Sequence, residues 1–140
     1  MRLKHAFVTI GIIVAVTSIA IVAARAQKAE EGSGIDAPGQ TYGAIAYGEG
    51  GGRYSSGWAK NYPSQAEADA NAVKECGRSP CKVVMRFWGK YCGAVARGGN
   101  GAWGSASAAT DNDARAKSQE TCRGHGGRNC EVLASACNSD

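Results

Sequence analysis

Beyond residue 26 the chain holds one leucine (Leu133), one phenylalanine (Phe87) and two isoleucines (Ile35 and Ile45), which excludes a large oily interior. So lean a core cannot alone offset the conformational entropy lost on ordering a domain, and a second source of stability is required. Long apolar runs are missing as well: nothing after Ala26 is long enough to span a bilayer. His125 is the only histidine after that point, and no serine or cysteine nucleophile stands in a recognisable motif. Nor is there much net charge. The whole chain is +4, with sixteen basic and twelve acidic side chains, but Arg2, Lys4 and Arg25 fall in the first 26 residues and leave thirteen against twelve. A remainder of +1 removes the main electrostatic support for a nucleic-acid partner.

What is present begins with an address. Met1–His5 is basic, Ala6–Ala24 is uncharged and apolar, and Ala24-Arg25-Ala26 offers small residues at both recognition positions. Residues 1–26 therefore read as a signal peptide cleaved after Ala26, with a retained membrane anchor as the alternative. Residues 27–40, QKAEEGSGIDAPGQ, are polar and aperiodic and read as a flexible linker. Residues 41–140 then form one domain, expected in the periplasm or outside the cell. All six cysteines lie in it, and an even set in an oxidising compartment predicts disulfides.

The stretch Ser64–Cys92 organises this domain. Ser64, with Glu67 three residues on, is a helix-capping pair, Gly77 suits the left-handed residue after the helix, and Pro80 forbids continuation. Ala66, Ala70 and Val73 share one stripe and are expected to face the core. Lys82–Trp88 reads as a strand with Val83, Met85 and Phe87 on one face and Lys82, Val84, Arg86, Trp88 and Lys90 on the other.

A second copy follows. Gly43-Ala44-Ile45-Ala46 matches Gly93-Ala94-Val95-Ala96, Ser64 matches Thr110, Glu67 matches Asp113, and Cys76 matches Cys122. The two repeats, 42–92 and 93–139, each read as ββαβ. Trp58 and Trp103 fit only loosely, lying six and seven residues before their caps, which leaves either a bulged strand or tryptophans that face differently. Pairing like with like joins Cys76 to Cys81, Cys122 to Cys130, and Cys92 to Cys137, the last across the pseudo-symmetry. The expected fold is α+β, with two ββαβ repeats forming one mainly antiparallel sheet, two helices on one face and disulfide staples.

YGAIAYG, NYPSQAEADANAVKEC, CKVVMRFWGKYCGAVARG and CEVLASACNS resemble the bacterial domain-of-unknown-function family 4189, from about Tyr42 to Ser139. The resemblance implies an exported bacterial domain and carries no reaction or catalytic residue. Gly57-Trp58-Ala59-Lys60 departs from it, since the tryptophan is expected to run almost directly into Asn-Tyr-Pro-Ser.

No catalytic residue, cofactor or metal is expected. His125 sits in a glycine-rich turn and reads as a solvated loop histidine; Cys122, His125 and Cys130 have a zinc-like spacing, but oxidised cysteines fit an exported chain better. Gly48–Arg53 and Gly98–Gly101 read as hairpin turns rather than phosphate loops, because neither opens a helix. Glu67, Asp69, Asp111 and Asp113 lie in first helical turns and complement caps and dipoles. Lys82, Arg86, Trp88 and Lys90, with Trp58 and Trp103, are the candidate binding residues. The expected function is a non-enzymatic binding module engaging a protein partner, as an inhibitor or interaction factor. A peptidoglycan- or glycan-binding domain is the alternative, and a small hydrolase the third reading. No nucleic acid and, once the leader is removed, no membrane are expected as partners.

Overall fold

The computed structural model describes residues 36–77 and 80–139. The leader, its cleavage position and the first part of the linker lie outside the described residues. The end of the expected linker is held in place: Gln40 donates to the Ala37 carbonyl, Ala37 donates to the Tyr42 hydroxyl at 2.7 Å, and Asp36 accepts from the Gln65 amide.

Each repeat folds as ββαβ. The first comprises β1 (Tyr42–Gly50), β2 (Arg53–Tyr62), α1 (Gln65–Cys76) and β3 (Lys82–Trp88). The second comprises β4 (Cys92–Arg97), β5 (Trp103–Ala108), α2 (Asp111–Gly124) and β6 (Glu131–Cys137). The class is α+β, but the strands form two three-stranded antiparallel sheets, β2-β1-β3 and β5-β4-β6, instead of one continuous sheet. Side-chain size explains the difference. On the central strands small and large residues alternate: Ala44 and Ala46 face α1, whereas Ile45 and Tyr47 face the other sheet and meet Phe87, Val95 and Ala136. In the second unit Ala94 packs with Ala114 of α2, and Ala96 with Cys122. Methyl-lined faces admit a helix closely, and the two bulky faces bury each other, giving the layers α1, sheet, sheet, α2.

The two central strands run in the same direction, and equivalent residues meet across the interface. At one end Gly43 and Gly93 flank the Phe87 ring so tightly that a Cβ on either would come 2.2 Å or 2.6 Å from it. One ring thus fills the space for both units, and its counterpart in β6 is the small Ala136. At the other end Arg97 donates to its counterpart, the Tyr47 hydroxyl, at 3.1 Å.

Ser64 caps α1 by accepting from Glu67, Thr110 caps α2 by accepting from Asp113, and Gly77 ends α1 at φ +66°. The buried stripe of α1 is Ala68, Ala72 and Cys76; Ala66, Ala70 and Val73 are exposed. Cys76 sets this phase, because its bridge to Cys81 must turn that face toward the sheet.

Register shifts place one extra residue in β3, at Val84, and one in β6, at Leu133. These equivalent bulges break the alternation, so Val83 packs under α1 while Val84 joins Met85 and Phe87 between the sheets. A further shift in β2 brackets Asn61, whose φ is +60°. It adds one residue to the first repeat, so the two tryptophans are not equivalent: Gly57 matches Gly104, Trp58 matches Ser105, and Trp103 matches Ser56.

Disulfides join Cys76 to Cys81, Cys92 to Cys137 and Cys122 to Cys130. Cys92 opens β4 rather than closing the first repeat, and it lies directly opposite Cys137. The long bridge is therefore internal to the second unit and does not cross the pseudo-symmetry; the cross-strand pair Tyr42–Trp88 takes its place in the first unit. What ties the units together at this end is the buried Asn138. It donates through Nδ2 to the Thr41 carbonyl and through its amide to the Tyr91 carbonyl, and it accepts from the Asn61 amide at 2.9 Å.

Candidate functional site

The hinge between the two units is a four-residue turn, Trp88-Gly89-Lys90-Tyr91, closed by the Tyr91 amide donating to the Trp88 carbonyl. Gly89 supplies the positive φ of +57° that the turn needs. Its amide donates to the Thr41 carbonyl, and the Asn138 clasp holds the Tyr91 carbonyl, so the turn is fixed from behind. Trp88 and Tyr91 are 55% and 51% exposed, the highest values of any large hydrophobic side chain among the described residues. Lys90 lies exposed between them.

The other binding residues read from the sequence do not join this surface as one face. The Val84 bulge turns Lys82 to the inter-sheet side, where it is the cross-strand partner of Tyr47. Arg86 stays on the α1 side and is held by Asp69 at 2.8 Å and 2.9 Å, so its charge is spent within the fold. Trp58 lies on β2 with Lys60 above its ring, and Trp103 lies on β5 against Tyr47, the ring centroids 5.5 Å apart.

A second cluster, absent from the sequence reading, forms where β1, β2 and β4 converge. Arg97 donates from Nε to Tyr47, from one terminal nitrogen to Glu49 at 2.7 Å and from the other to the Gly98 carbonyl. Its guanidinium carbon lies 4.3 Å from the centre of the Tyr54 ring. Tyr47 in turn donates to Glu49 at 2.8 Å. Hydrogen bonding from Arg97 and then from Tyr47 holds the Glu49 carboxyl below its ordinary value, while burial and then the bond to Glu49 push the Tyr47 phenol up. The hydrogen bond to Glu49 also raises Arg97, keeping it charged.

The sign of the resulting pH dependence follows from the depressed carboxyl. Its stabilising contribution is complete above the unfolded value of 4.5 and is lost as pH falls through the lower folded value. The gap in urea midpoint between the parent protein and Glu49→Gln should therefore narrow as the pH is taken below 4.5. A gap that stayed constant on acidification would contradict this linkage.

Comparison with known proteins decides the family. The family described as "Domain of unknown function (DUF4189)" matches residues 42–137, which runs from the first residue of β1 to the last of β6. The chain belongs to this family. Its relatives include Protein Rv1269c of Mycobacterium tuberculosis and Protein Mb1300c of Mycobacterium bovis, each 47% identical over 79 residues, which is 54% of this chain and 60% of the relative. Uncharacterized protein Rv1813c of M. tuberculosis is 42% identical over 76 residues, covering 52% of this chain and 50% of that protein. The chain thus spans half to three fifths of the length of these relatives. No solved structure matches.

Within the family fold the remaining chemistry-bearing residues have structural partners. His125 Nδ1 lies 2.7 Å from the Trp103 carbonyl, and since a carbonyl only accepts, Nδ1 carries the proton and ties the end of α2 to β5. Cys122 and Cys130 are bridged to each other. Thr110 and Asp113 bond reciprocally, and Asp111 lies 3.9 Å from Arg115 one turn on. Three disulfides mark a chain that folds in an oxidising environment. Among the described residues no helix is long and apolar enough to cross a membrane.

Proposed function

We propose that the chain is an exported, non-enzymatic binding module that engages a protein partner through the Trp88–Tyr91 turn. The supporting observation is that, among the described residues, the two most exposed large hydrophobic side chains flank one turn whose backbone is pinned by Thr41 and Asn138. Aromatic anchors on a rigid support lose little conformational entropy on binding, which is the usual character of interface hot spots. The partner on this reading presents an apolar cleft that receives Trp88 and Tyr91. Export rests on the leader-like residues 1–26 and on the disulfides. A glycan-binding surface built from Trp58, Trp88 and Trp103 is disfavoured, because β2 and β3 are opposite edges of one sheet and β5 belongs to the other.

The test is affinity capture with the parent protein and with Trp88→Ala/Tyr91→Ala. Truncating both anchors should weaken capture of the partner by about a hundredfold, at roughly 1–2 kcal/mol or more for each anchor. Trp58→Ala should leave capture unchanged. Equal capture by the double variant, or release by free sugar, would overturn the reading.

A further inference from the structure

We infer that the cleft between β2 and the β4–β6 side of the second sheet is a binding site for one neutral sugar ring of a glycan. This site is separate from the Trp88–Tyr91 turn, and its argument does not depend on that surface. The cleft has a volume of about 170 Å³ and is lined by Tyr54, Arg97, Asn129, Glu131, Leu133 and the Gly98–Gly99 backbone. At about 30 Å³ for each displaced water, it holds roughly six waters. That is room for one six-membered ring with its hydroxyls and too little for the drug-sized ligands of larger pockets.

Charge selects against ions. Among the lining residues one cation, Arg97, stands against one carboxylate, its cross-strand partner Glu131, and Arg97 is also paired with Glu49 at 2.7 Å, so the lining offers no uncompensated positive charge to an anion. A cation is disfavoured too, because the Arg97 guanidinium already occupies the Tyr54 ring at 4.3 Å. What remains is an uncharged ligand with many hydrogen-bonding groups. Three of the five N–H groups of Arg97 are engaged by Tyr47, Gly98 and Glu49, which leaves two donors. Glu131 and Asn129 supply acceptors, and Leu133 supplies an apolar wall for the C–H face of a sugar. Hydroxyls both donate and accept, so vicinal diols match this mixed lining better than any singly functional group.

The walls also bear on stability. Tyr54 comes from the first unit and the other lining residues from the second, so a bound sugar would bridge the two sheets and raise the melting temperature by mass action.

The experiment is an amide-resolved NMR titration of the purified protein with chitotriose, maltotriose and, as the anionic control, inorganic phosphate. A neutral oligosaccharide should shift the amides of Gly98, Gly99, Asn129 and Glu131 saturably. Glu131→Ala, an exposed position, should weaken that binding about tenfold with the rest of the spectrum unchanged. Preference for chitotriose over maltotriose would identify the source as an amino-sugar polymer, and the reverse a glucan. Absence of shifts with both sugars, shifts from phosphate alone, or unchanged sugar binding by Glu131→Ala would each overturn the assignment.

Discussion

Gly57→Ala should cost more than about 3 kcal/mol, a large share of the roughly 5–15 kcal/mol that holds a domain folded. An added Cβ would come 2.2 Å from the Cys76 amide nitrogen and 2.5 Å from the Ala72 carbonyl oxygen. Both are backbone atoms of α1, so no rotamer change relieves the clash. Nor can the helix end retreat freely, since Cys76 is bridged to Cys81 at the start of β3. A Cβ on the equivalent Gly104 would come 2.3 Å from the Cys122 amide nitrogen, and Gly104→Ala should be comparably damaging to the second unit. Gly124→Ala is the control: a Cβ there meets nothing, and the change should stay within about 0.5 kcal/mol. Urea midpoints of the three variants check this. A parent-like midpoint for Gly57→Ala would mean that α1 is not seated as closely as its alanines allow.

That close seating explains which parts of the fold were legible beforehand. The caps at Ser64 and Thr110, the stop at Gly77 and the duplication around the GAIA and GAVA segments all rest on local chemistry, which a sequence displays directly. The stripe of α1 is not legible in its alanines, because alternating alanines have no size contrast. Only Cys76, obliged to face its partner, carried the phase. Two separate sheets were in principle readable from the small-large alternation of Ala44, Ile45, Ala46 and Tyr47, which demands a second bulky face opposite. Strict alternation through Val84 puts Lys82 beside Arg86, and the bulge, which no residue type announces, moves it to the other side.

The candidate site was less legible for a different reason. Trp88 and Lys90 stand out by type and spacing, but their joining with Tyr91 in one turn depends on Gly89 and on Asn138, 47 residues after Tyr91. The Tyr47–Glu49–Arg97 cluster unites residues 48 and 50 positions apart. Its available signal was the repeat itself, since Tyr47 and Arg97 occupy equivalent positions after GAIA and GAVA and meet across the interface. Sequence equivalence becomes contact only once the two sheets are known to face each other.

Removing the Cys92–Cys137 bridge should have the largest effect of any single cross-link. Its cysteines are 45 residues apart, and the bridge encloses β5 and α2 together with the Cys122–Cys130 bridge, whose cysteines are only 8 apart. The chain-entropy relation gives about 4 kcal/mol for the long loop and between 2 and 3 kcal/mol, roughly, for each short one. For a domain of this size a loss of about 4 kcal/mol lowers the melting temperature by on the order of 20 °C. Geometry adds to this. Cys137 directly precedes Asn138, which clasps Thr41, Asn61 and Tyr91, so freeing the end of β6 also loosens the first unit and the Trp88–Tyr91 turn. Cys92→Ala/Cys137→Ala should therefore melt earlier than Cys122→Ala/Cys130→Ala and, on the proposed function, capture its partner less well even below its melting temperature. With one leucine and one phenylalanine in the whole domain, no apolar surface is in reserve to compensate. If both double variants melted with the parent protein, the apolar contacts around Phe87 alone would be holding the sheets together, and the cross-links would be incidental to stability.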